Sequence, residues 1–214
     1  FLTTLIGVGQ GLFLALFTVE SYAAFDLLPS QASRFYALGS ALALAFLVAG
    51  LIASFFHLGR PERAWRSAAK WRTSWLSREV IVLPAFMGTV FLYGAAHFAG
   101  FNPVLATLPS GVPVNVTAIL GVAGTVLAFA LFVCTGMIYA CLRFLQEWHT
   151  PLTVINYTLL GGASGFVLAT ALAALVAPEM TRFTAGWAMI LTLLALIGRA
   201  ASLLRNARLK PKST

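Results

Sequence analysis

Long apolar segments separated by short polar stretches run through the whole of this sequence. Six of them are near or above the ~20 residues that a helix needs to cross a bilayer, and they cover residues 1–25, 35–57, 79–101, 116–143, 152–177 and 183–204. Apolar and polar residues do not alternate in these segments, as the strands of a membrane barrel would require. The pattern therefore predicts an all-α bundle of six transmembrane helices that forms a single domain over residues 1–214.

The composition supports a membrane protein. Hydrophobic residues make up 60% of the chain and charged residues 9%, whereas soluble domains carry about 25% charged residues. The net charge of +8 does not indicate nucleic acid binding, because the basic residues are grouped at the ends of apolar segments. No basic region precedes the first segment, which is therefore expected to be retained as a span and not to be a signal peptide.

The basic residues are concentrated at one end of the predicted bundle, which we call the basic face. Six crossings place the 58–78 loop, the 144–151 turn and both ends of the sequence on this face. It carries all but two of the 14 lysines and arginines, since only Arg34 and Arg182 fall on the opposite face. Its members are Arg60, Arg63, Arg66, Lys70, Arg72, Arg78, Arg143, Arg199, Arg205, Arg208, Lys210 and Lys212. The positive-inside rule makes this face cytoplasmic and predicts a multi-pass protein of the bacterial inner membrane with both visible termini inside.

Ionisable residues near membrane depth are the first candidates for function, and here they are Glu20, His57, Glu79, His97, Arg143, Glu147 and His149. His57 closes the second predicted span and Glu79 opens the third, so the two residues share one depth on the basic face. An imidazole near neutral pKa and a partly buried carboxylate suit the proton-coupled chemistry of a quinone. The alternatives are that Glu79 follows Ser77 in a first helical turn, where exposed N–H groups favour a carboxylate, and that His57 is an interfacial residue.

The remaining polar features have two interpretations each. The 58–78 loop either marks topology and contacts lipid head groups or docks a cytoplasmic partner through Arg63, Arg66, Lys70 and Arg72. Arg143 lies one helical turn after Tyr139 on the fourth predicted span, where it is either a snorkelling charge or part of a site. One haem held by His57 and His149 is also conceivable.

No metal site is expected from the cysteines. Cys134 and Cys141 are seven positions apart on one predicted helix, about 10.5 Å along its axis, which is too far for a disulfide. Two thiols are also too few for an iron–sulfur cluster.

Several motifs resemble the anchor subunit of dimethyl sulfoxide reductase, the DmsC family. They are HLGRP at 57–61, Arg63-Ala64 and SWLSRE at 74–79, with weaker matches in CTGMIYA at 134–140 and Pro151-Leu152-Thr153. The first residues, FLTTLIGVGQG at 1–11, are similar to the SoeC branch of this family, which is found in cytoplasmic sulfite dehydrogenases. The resemblance covers most of the chain, although the family usually has eight spans and this sequence shows six.

The resemblance implies a quinone-binding anchor that carries an iron–sulfur subunit and a molybdopterin catalytic subunit on its cytoplasmic face. The histidine and glutamate of the family's quinone site match His57 and Glu79, and we expect Arg60, Arg78, Tyr139 and Arg143 around the same site. The quinone would be ubiquinone or menaquinone. Molybdopterin and the clusters would belong to the partner subunits only, and the family generally carries no haem.

The resulting hypothesis is an anchor that passes electrons from sulfite to the quinone pool and has no catalytic residue for the sulfur substrate. One alternative is an anchor of the dimethyl sulfoxide reductase type that oxidises quinol, and another is an anchor that binds haem b. A small-solute transporter is a more distant alternative. Transporters show internal repeats, broken helices and polar groups near the midplane, and here only glycine pairs such as Gly161-Gly162 point that way.

Overall fold

Six long helices make up most of the computed structural model, which describes residues 2–56, 61–109 and 111–209, without the side chains of residues 61–65. Their bounds are α1 Leu2–Ala24, α2 Ser33–Phe55, α3 Trp75–Ala99, α4 Val116–Ala140, α5 Pro151–Val176 and α6 Thr181–Ala207. Each is long and apolar enough to span a bilayer. The prediction of an all-α, six-helix membrane protein is confirmed.

The helix ends follow local signals. The α3 helix begins four residues earlier than predicted, because the Ser74 side chain accepts a hydrogen bond from the backbone N–H of Ser77 and caps it. It ends at Gly100, whose φ of 64° places it in the left-handed region that glycine adopts without strain. Pro151 occupies the first turn of α5, where its missing N–H is tolerated.

The connections contain two kinds of element that the apolar pattern did not predict, 3₁₀ helices and a β-hairpin. Residues Pro61–Lys70 form a 3₁₀ helix within the basic loop, and residues Pro178–Met180 form a second, shorter one. Between α3 and α4, strands β1 Val104–Thr107 and β2 Pro113–Asn115 pair in an antiparallel hairpin. This hairpin lies at the end of the bundle opposite the basic loop, where β2 leads directly into α4.

Hydrogen bonds between helix ends show that successive helices alternate in direction. The Tyr157 hydroxyl at the start of α5 donates to the carbonyl of Thr3 at the start of α1, over 2.9 Å. Near the end of α6, Arg205 donates to the carbonyl of Gln146 in the α4–α5 connection, over 3.0 Å. These contacts group the starts of α1 and α5 with the α4–α5 connection and the end of α6 on the basic face, as the six-crossing interpretation requires. That this face is cytoplasmic stays a prediction.

The core of the bundle lies around α1. Of the most apolar 18 residues in each helix, 56% are buried in α1 and 17% in α6, so α1 is central and α6 peripheral. The rings of Phe13 and Phe86 meet edge to face at 5.5 Å in this core. Helices α1 and α5 cross so closely that a Cβ added to Gly165 would lie 2.0 Å from the backbone of Gly11. Gly161 and Gly162 lie inside an uninterrupted α5 and do not break it. Gly161 serves close packing, since a Cβ added to Gly11 would lie 2.2 Å from its carbonyl oxygen.

One predicted placement is wrong. The fourth span was expected to run to residue 143, but α4 ends at Ala140 and Cys141 caps it. Arg143 therefore lies exposed in the following connection and not one turn after Tyr139 on the helix. Backbone hydrogen bonds such as that from Leu145 N–H to the Leu142 carbonyl fold this connection into successive turns. Cys134 is buried and Cys141 is exposed, and both are free thiols.

Candidate functional site

Glu79 is a buried carboxylate near the basic face. It is the fifth residue of α3, its exposed fraction is 8%, and Ser77 beside it is also buried. The unpaired N–H groups of a helix belong to its first turn, and Glu79 lies beyond that turn. Stabilisation by the helix N-terminus therefore does not account for its position.

The carboxylate of Glu79 is tied to a neighbouring helix. The Thr135 hydroxyl on α4 donates a hydrogen bond to Glu79 Oε1 at 2.5 Å. Among the described residues, it is the one hydroxyl that donates to this carboxylate. Cys134 adjoins Thr135 on α4, and Tyr139 lies one turn after Thr135 on the same helix. The ring of Tyr157 on α5 meets that of Phe132 on α4 at 5.6 Å. Helices α3, α4 and α5 thus bring one acid and several hydroxyl groups together just below the basic face.

Arg78 connects α3 to the basic loop. Its guanidinium donates to the carbonyl of Trp71 at 2.9 Å and to that of Arg72 at 2.8 Å. It also lies over the ring of Trp75, with 4.3 Å between the guanidinium carbon and the ring centroid. The observed contacts of Arg78 are therefore those of a residue that holds the loop against the start of α3.

Tyr139 and the α4–α5 connection pack together at the end of α4. The Tyr139 ring meets Trp148 edge to face at 5.1 Å. His149 places Nδ1 2.7 Å from the carbonyl oxygen of Ala140, which holds its ring against the end of α4. Arg143, expected at the quinone site, is exposed in the same connection.

The remaining predicted residues of the basic loop divide into two groups. Arg66, Lys70 and Arg72 are exposed on the basic face, as a docking surface requires. His57 and Arg60 lie outside the described residues, and so does the side chain of Arg63. Among the residues that the structure describes, no three His, Cys, Asp or Glu side chains are grouped to hold a metal ion.

A second polar cluster lies at the opposite face and joins three helices. Glu20 on α1 accepts hydrogen bonds at 2.6 Å from the hydroxyls of Tyr93 on α3 and Thr117 on α4. Asn102 caps the start of α4 by accepting from the backbone N–H of Thr117 at 3.1 Å. Both Glu20 oxygens are thus engaged by side chains of other helices.

His97 completes this cluster. Its Nε2 lies 3.5 Å from Glu20 Oε1 and has no hydrogen-bond partner among the described residues. Its ring stacks on Tyr36 with 4.5 Å between centroids and meets Tyr93 edge to face at 4.6 Å. His97 lines two cavities, of about 810 Å³ on the α1 and α4 side and about 790 Å³ on the α2 and α3 side.

Inspection of the sequence identified Glu20 and His97 only as isolated ionisable residues. Tyr36, Tyr93, Thr117 and Asn102 were missed, as were Thr135 and Tyr157 near Glu79. The sequence offered one indication of this cluster. Tyr93 and His97 are four positions apart and so lie on one face of a helix. Nothing local links them to Glu20, which is 73 positions from Tyr93.

The comparisons with known proteins agree with this architecture. Over 214 residues, the chain is 60% identical to a sulfite dehydrogenase subunit of Allochromatium vinosum; the match takes in 100% of this chain and 66% of that protein. The chain thus spans just under two thirds of the length of that relative. No solved structure matches the chain. The family model for the DMSO reductase anchor subunit matches residues 1–212, and this multi-pass membrane protein belongs to the DMSO reductase anchor subunit (DmsC) family.

Proposed function

We propose that this chain is the quinone-reactive anchor of a complex that passes electrons from sulfite to the quinone pool of a bacterial inner membrane. The name of the relative from Allochromatium vinosum supports sulfite as the electron donor. Family membership supports the role of anchor. In this proposal the basic face is cytoplasmic, and a molybdopterin subunit and an iron–sulfur subunit assemble on it.

The observation that carries the proposal is the position of Glu79. A carboxylate that is 8% exposed within a membrane span is costly unless it has a function or a full set of partners. Thr135 supplies one hydrogen bond, and no described side chain forms an ion pair with Glu79. Burial with one partner among the described residues favours a role as a proton carrier.

The residues around Glu79 fit a quinone head group. When bound, a quinone supplies an acceptor for two electrons and two protons. Glu79 would hold a proton at Oε2 and exchange it with the basic face, while the hydroxyl of Thr135 fixes the orientation of the carboxylate. His57, whose side chain lies outside the described residues, would donate to a ring carbonyl. Apolar helix surfaces around the site would exclude bulk water from the isoprenoid tail.

The basic face fits a docking surface for soluble subunits. Arg66, Lys70 and Arg72 are exposed, and 52% of the surface of Trp71 is accessible beside them. A partner with an acidic surface would meet complementary charge, which promotes encounter and fixes orientation. A chain of iron–sulfur clusters in the docked subunit would end at this face, near the depth of Glu79.

Replacement of Glu79 by glutamine tests the proposal, because it keeps the shape of the side chain and removes the proton carrier. We expect quinone-dependent sulfite oxidation by the purified complex to fall by about one to two decades, equivalent to the roughly 1.5–3 kcal/mol of a charge-assisted hydrogen bond. Reduction of an artificial dye by the soluble subunits should be unchanged. Glu147→Gln, an exposed carboxylate of the same face, is the matched control and should retain quinone turnover. Normal turnover in Glu79→Gln would place the quinone site elsewhere.

A further inference from the structure

The larger of the two cavities at the opposite face has the size and lining of a ligand site. It measures about 810 Å³ and lies between α1, α4 and the β1–β2 hairpin, and small-molecule pockets commonly measure about 300–1,000 Å³. Phe17, Ile119 and Val122 form part of an apolar wall, and Glu20 and His97 form part of a polar one. Mostly apolar walls with a few convergent polar groups are typical of a binding site.

We propose that this cavity binds a neutral amphiphile with a hydrogen-bonding aromatic head group, of the quinone or quinol type, at a site separate from Glu79. The polar wall provides complementary groups for such a head group. The carboxylate of Glu20 accepts from a ring hydroxyl, since each of its oxygens takes one hydrogen bond from a hydroxyl and can accept a second. The apolar wall takes the ring face and the tail.

His97 lies against Glu20 at the polar edge of this cavity. The residue is 7% exposed, and its Nε2 has no hydrogen-bond partner among the described residues. Buried polar atoms are nearly always paired, and an unpaired one costs about 1–3 kcal/mol. Nε2 itself is buried and lies 3.5 Å from Glu20 Oε1, so Glu20, at the edge of the cavity, offsets part of this cost.

The charge of the cavity selects a neutral ligand. No lysine or arginine is present among the residues that line it, all of which the structure describes. Arg34 lines only the second cavity, on the other side of His97. The phosphate of an anionic phospholipid would therefore meet the carboxylate of Glu20 without a compensating cation, whereas a quinone ring carries no charge.

The ligand would enter from the membrane. Ile119 and Val122 line the cavity and are also 47% and 57% exposed on the outside of the bundle. In a transmembrane helix such residues face lipid, so an amphiphile dissolved in the bilayer reaches the cavity without crossing the aqueous phase.

This site cannot be an extension of the one at Glu79. Glu79 and His97 are 18 positions apart on α3, or about 27 Å along a helix. Between these levels, Phe13, Phe86 and Val90 are fully buried and fill the centre of the bundle with apolar side chains. The two sites would therefore bind their ligands independently.

Photolabelling of the purified complex in nanodiscs tests this inference. The probe is an azidobenzoquinone with a short isoprenoid chain, and labelled peptides are identified by mass spectrometry. We expect labels on the segments that line the cavity, around residues 17–36 and 96–123, and we expect unlabelled ubiquinone to compete with the probe.

Two tryptophan variants of α4 show whether the cavity itself is labelled. Val122→Trp fills the cavity from its lipid side and should reduce its labelling by about tenfold, or 1.4 kcal/mol. Val126→Trp is the matched control, since Val126 lies one turn further on, is 63% exposed and does not line the cavity; its labelling should match that of the wild type.

Absence of label from these segments, or equal labelling in Val122→Trp, would overturn the inference. Competition by phosphatidylcholine but not by ubiquinone would overturn it too, in favour of a lipid site. Failure of either kind leaves the Glu79 proposal intact. Conversely, Glu79→Gln should leave this labelling unchanged.

Discussion

Two largely buried glutamates at opposite ends of one bundle have different environments. Glu20 engages both oxygens with hydroxyls from two other helices and has an imidazole 3.5 Å away. Glu79 receives one described hydrogen bond, from Thr135. Both lie within membrane spans, so burial alone does not distinguish a carboxylate that holds helices together from one that can exchange a proton.

The difference shows which property separates the two roles. A carboxylate with donors on three sides has most of its desolvation cost offset by the protein, and removal of it leaves those donors unpaired. A carboxylate with one described donor keeps an oxygen that can take up a proton. We therefore expect Glu20 to contribute more to stability and Glu79 more to turnover.

Replacement of each glutamate by leucine should give the largest contrast in stability. Glu20→Leu leaves the hydroxyl of Tyr93 and the imidazole of His97 without their partner, so it should cost roughly 3 kcal/mol of unfolding free energy. Among the described residues, Glu79→Leu leaves the Thr135 hydroxyl unpaired, and it should cost about 1 kcal/mol. Thermal unfolding in detergent measures both variants, and equal losses would show that the two environments do not differ in the way we describe.

Reversal of charge on the two faces extends the comparison to assembly. Changing Arg66, Lys70 and Arg72 together to glutamate should weaken binding of the soluble subunits by about 2 kcal/mol, since exposed pairs contribute up to about 1 kcal/mol each. The loss should grow at low salt, where charges are least screened.

The control for this experiment lies at the other end of the bundle. Arg34→Glu with Arg182→Glu alters the opposite face and should leave co-purification of the soluble subunits unchanged. Full retention of these subunits by the triple variant would mean that the basic loop marks topology only.

Thr135→Val should produce the smallest of these effects. It removes the hydroxyl that orients Glu79 and keeps the size of the side chain, so quinone-dependent turnover should fall by roughly threefold to tenfold, the equivalent of about 1 kcal/mol. Initial rates with a short-chain ubiquinone measure it, with dye reduction as the control. Thr125→Val removes a hydroxyl of α4 that, within the described part of the chain, donates to the carbonyl of Gly121 in its own helix, and it should not change turnover. Equal rates in the two variants would mean that Thr135 has no part in positioning Glu79.

The parts of the fold that are encoded locally were predicted from the sequence. Span number and the grouping of basic residues depend on runs of apolar residues and on charges next to them, and both are visible without tertiary structure. The β1–β2 hairpin was missed because its strands have four and three residues, too short for a recognisable alternation. Arg143 was misplaced because apolar residues continue past the end of α4 at Ala140.

The residues of the candidate site were predicted only in part, for a similar reason. Glu79 was identified because a carboxylate at the edge of an apolar span is rare, and the resemblance pointed to it. Its partner Thr135 is 56 positions away, and threonine is common in membrane helices. The cluster of Glu20 with Tyr93 and Thr117 depends on how α1, α3 and α4 pack, which no spacing within one helix reveals.

The central claim is that Glu79 serves electron transfer to a quinone and Glu20 does not. The most direct measurement is the rate at which added ubiquinone reoxidises the iron–sulfur clusters of the intact complex after reduction by sulfite, followed by rapid mixing. Glu79→Gln should slow this step by about one to two decades, and Glu20→Gln should leave it near the wild-type rate. Reoxidation at the wild-type rate in Glu79→Gln, or equal slowing in both variants, would contradict the account.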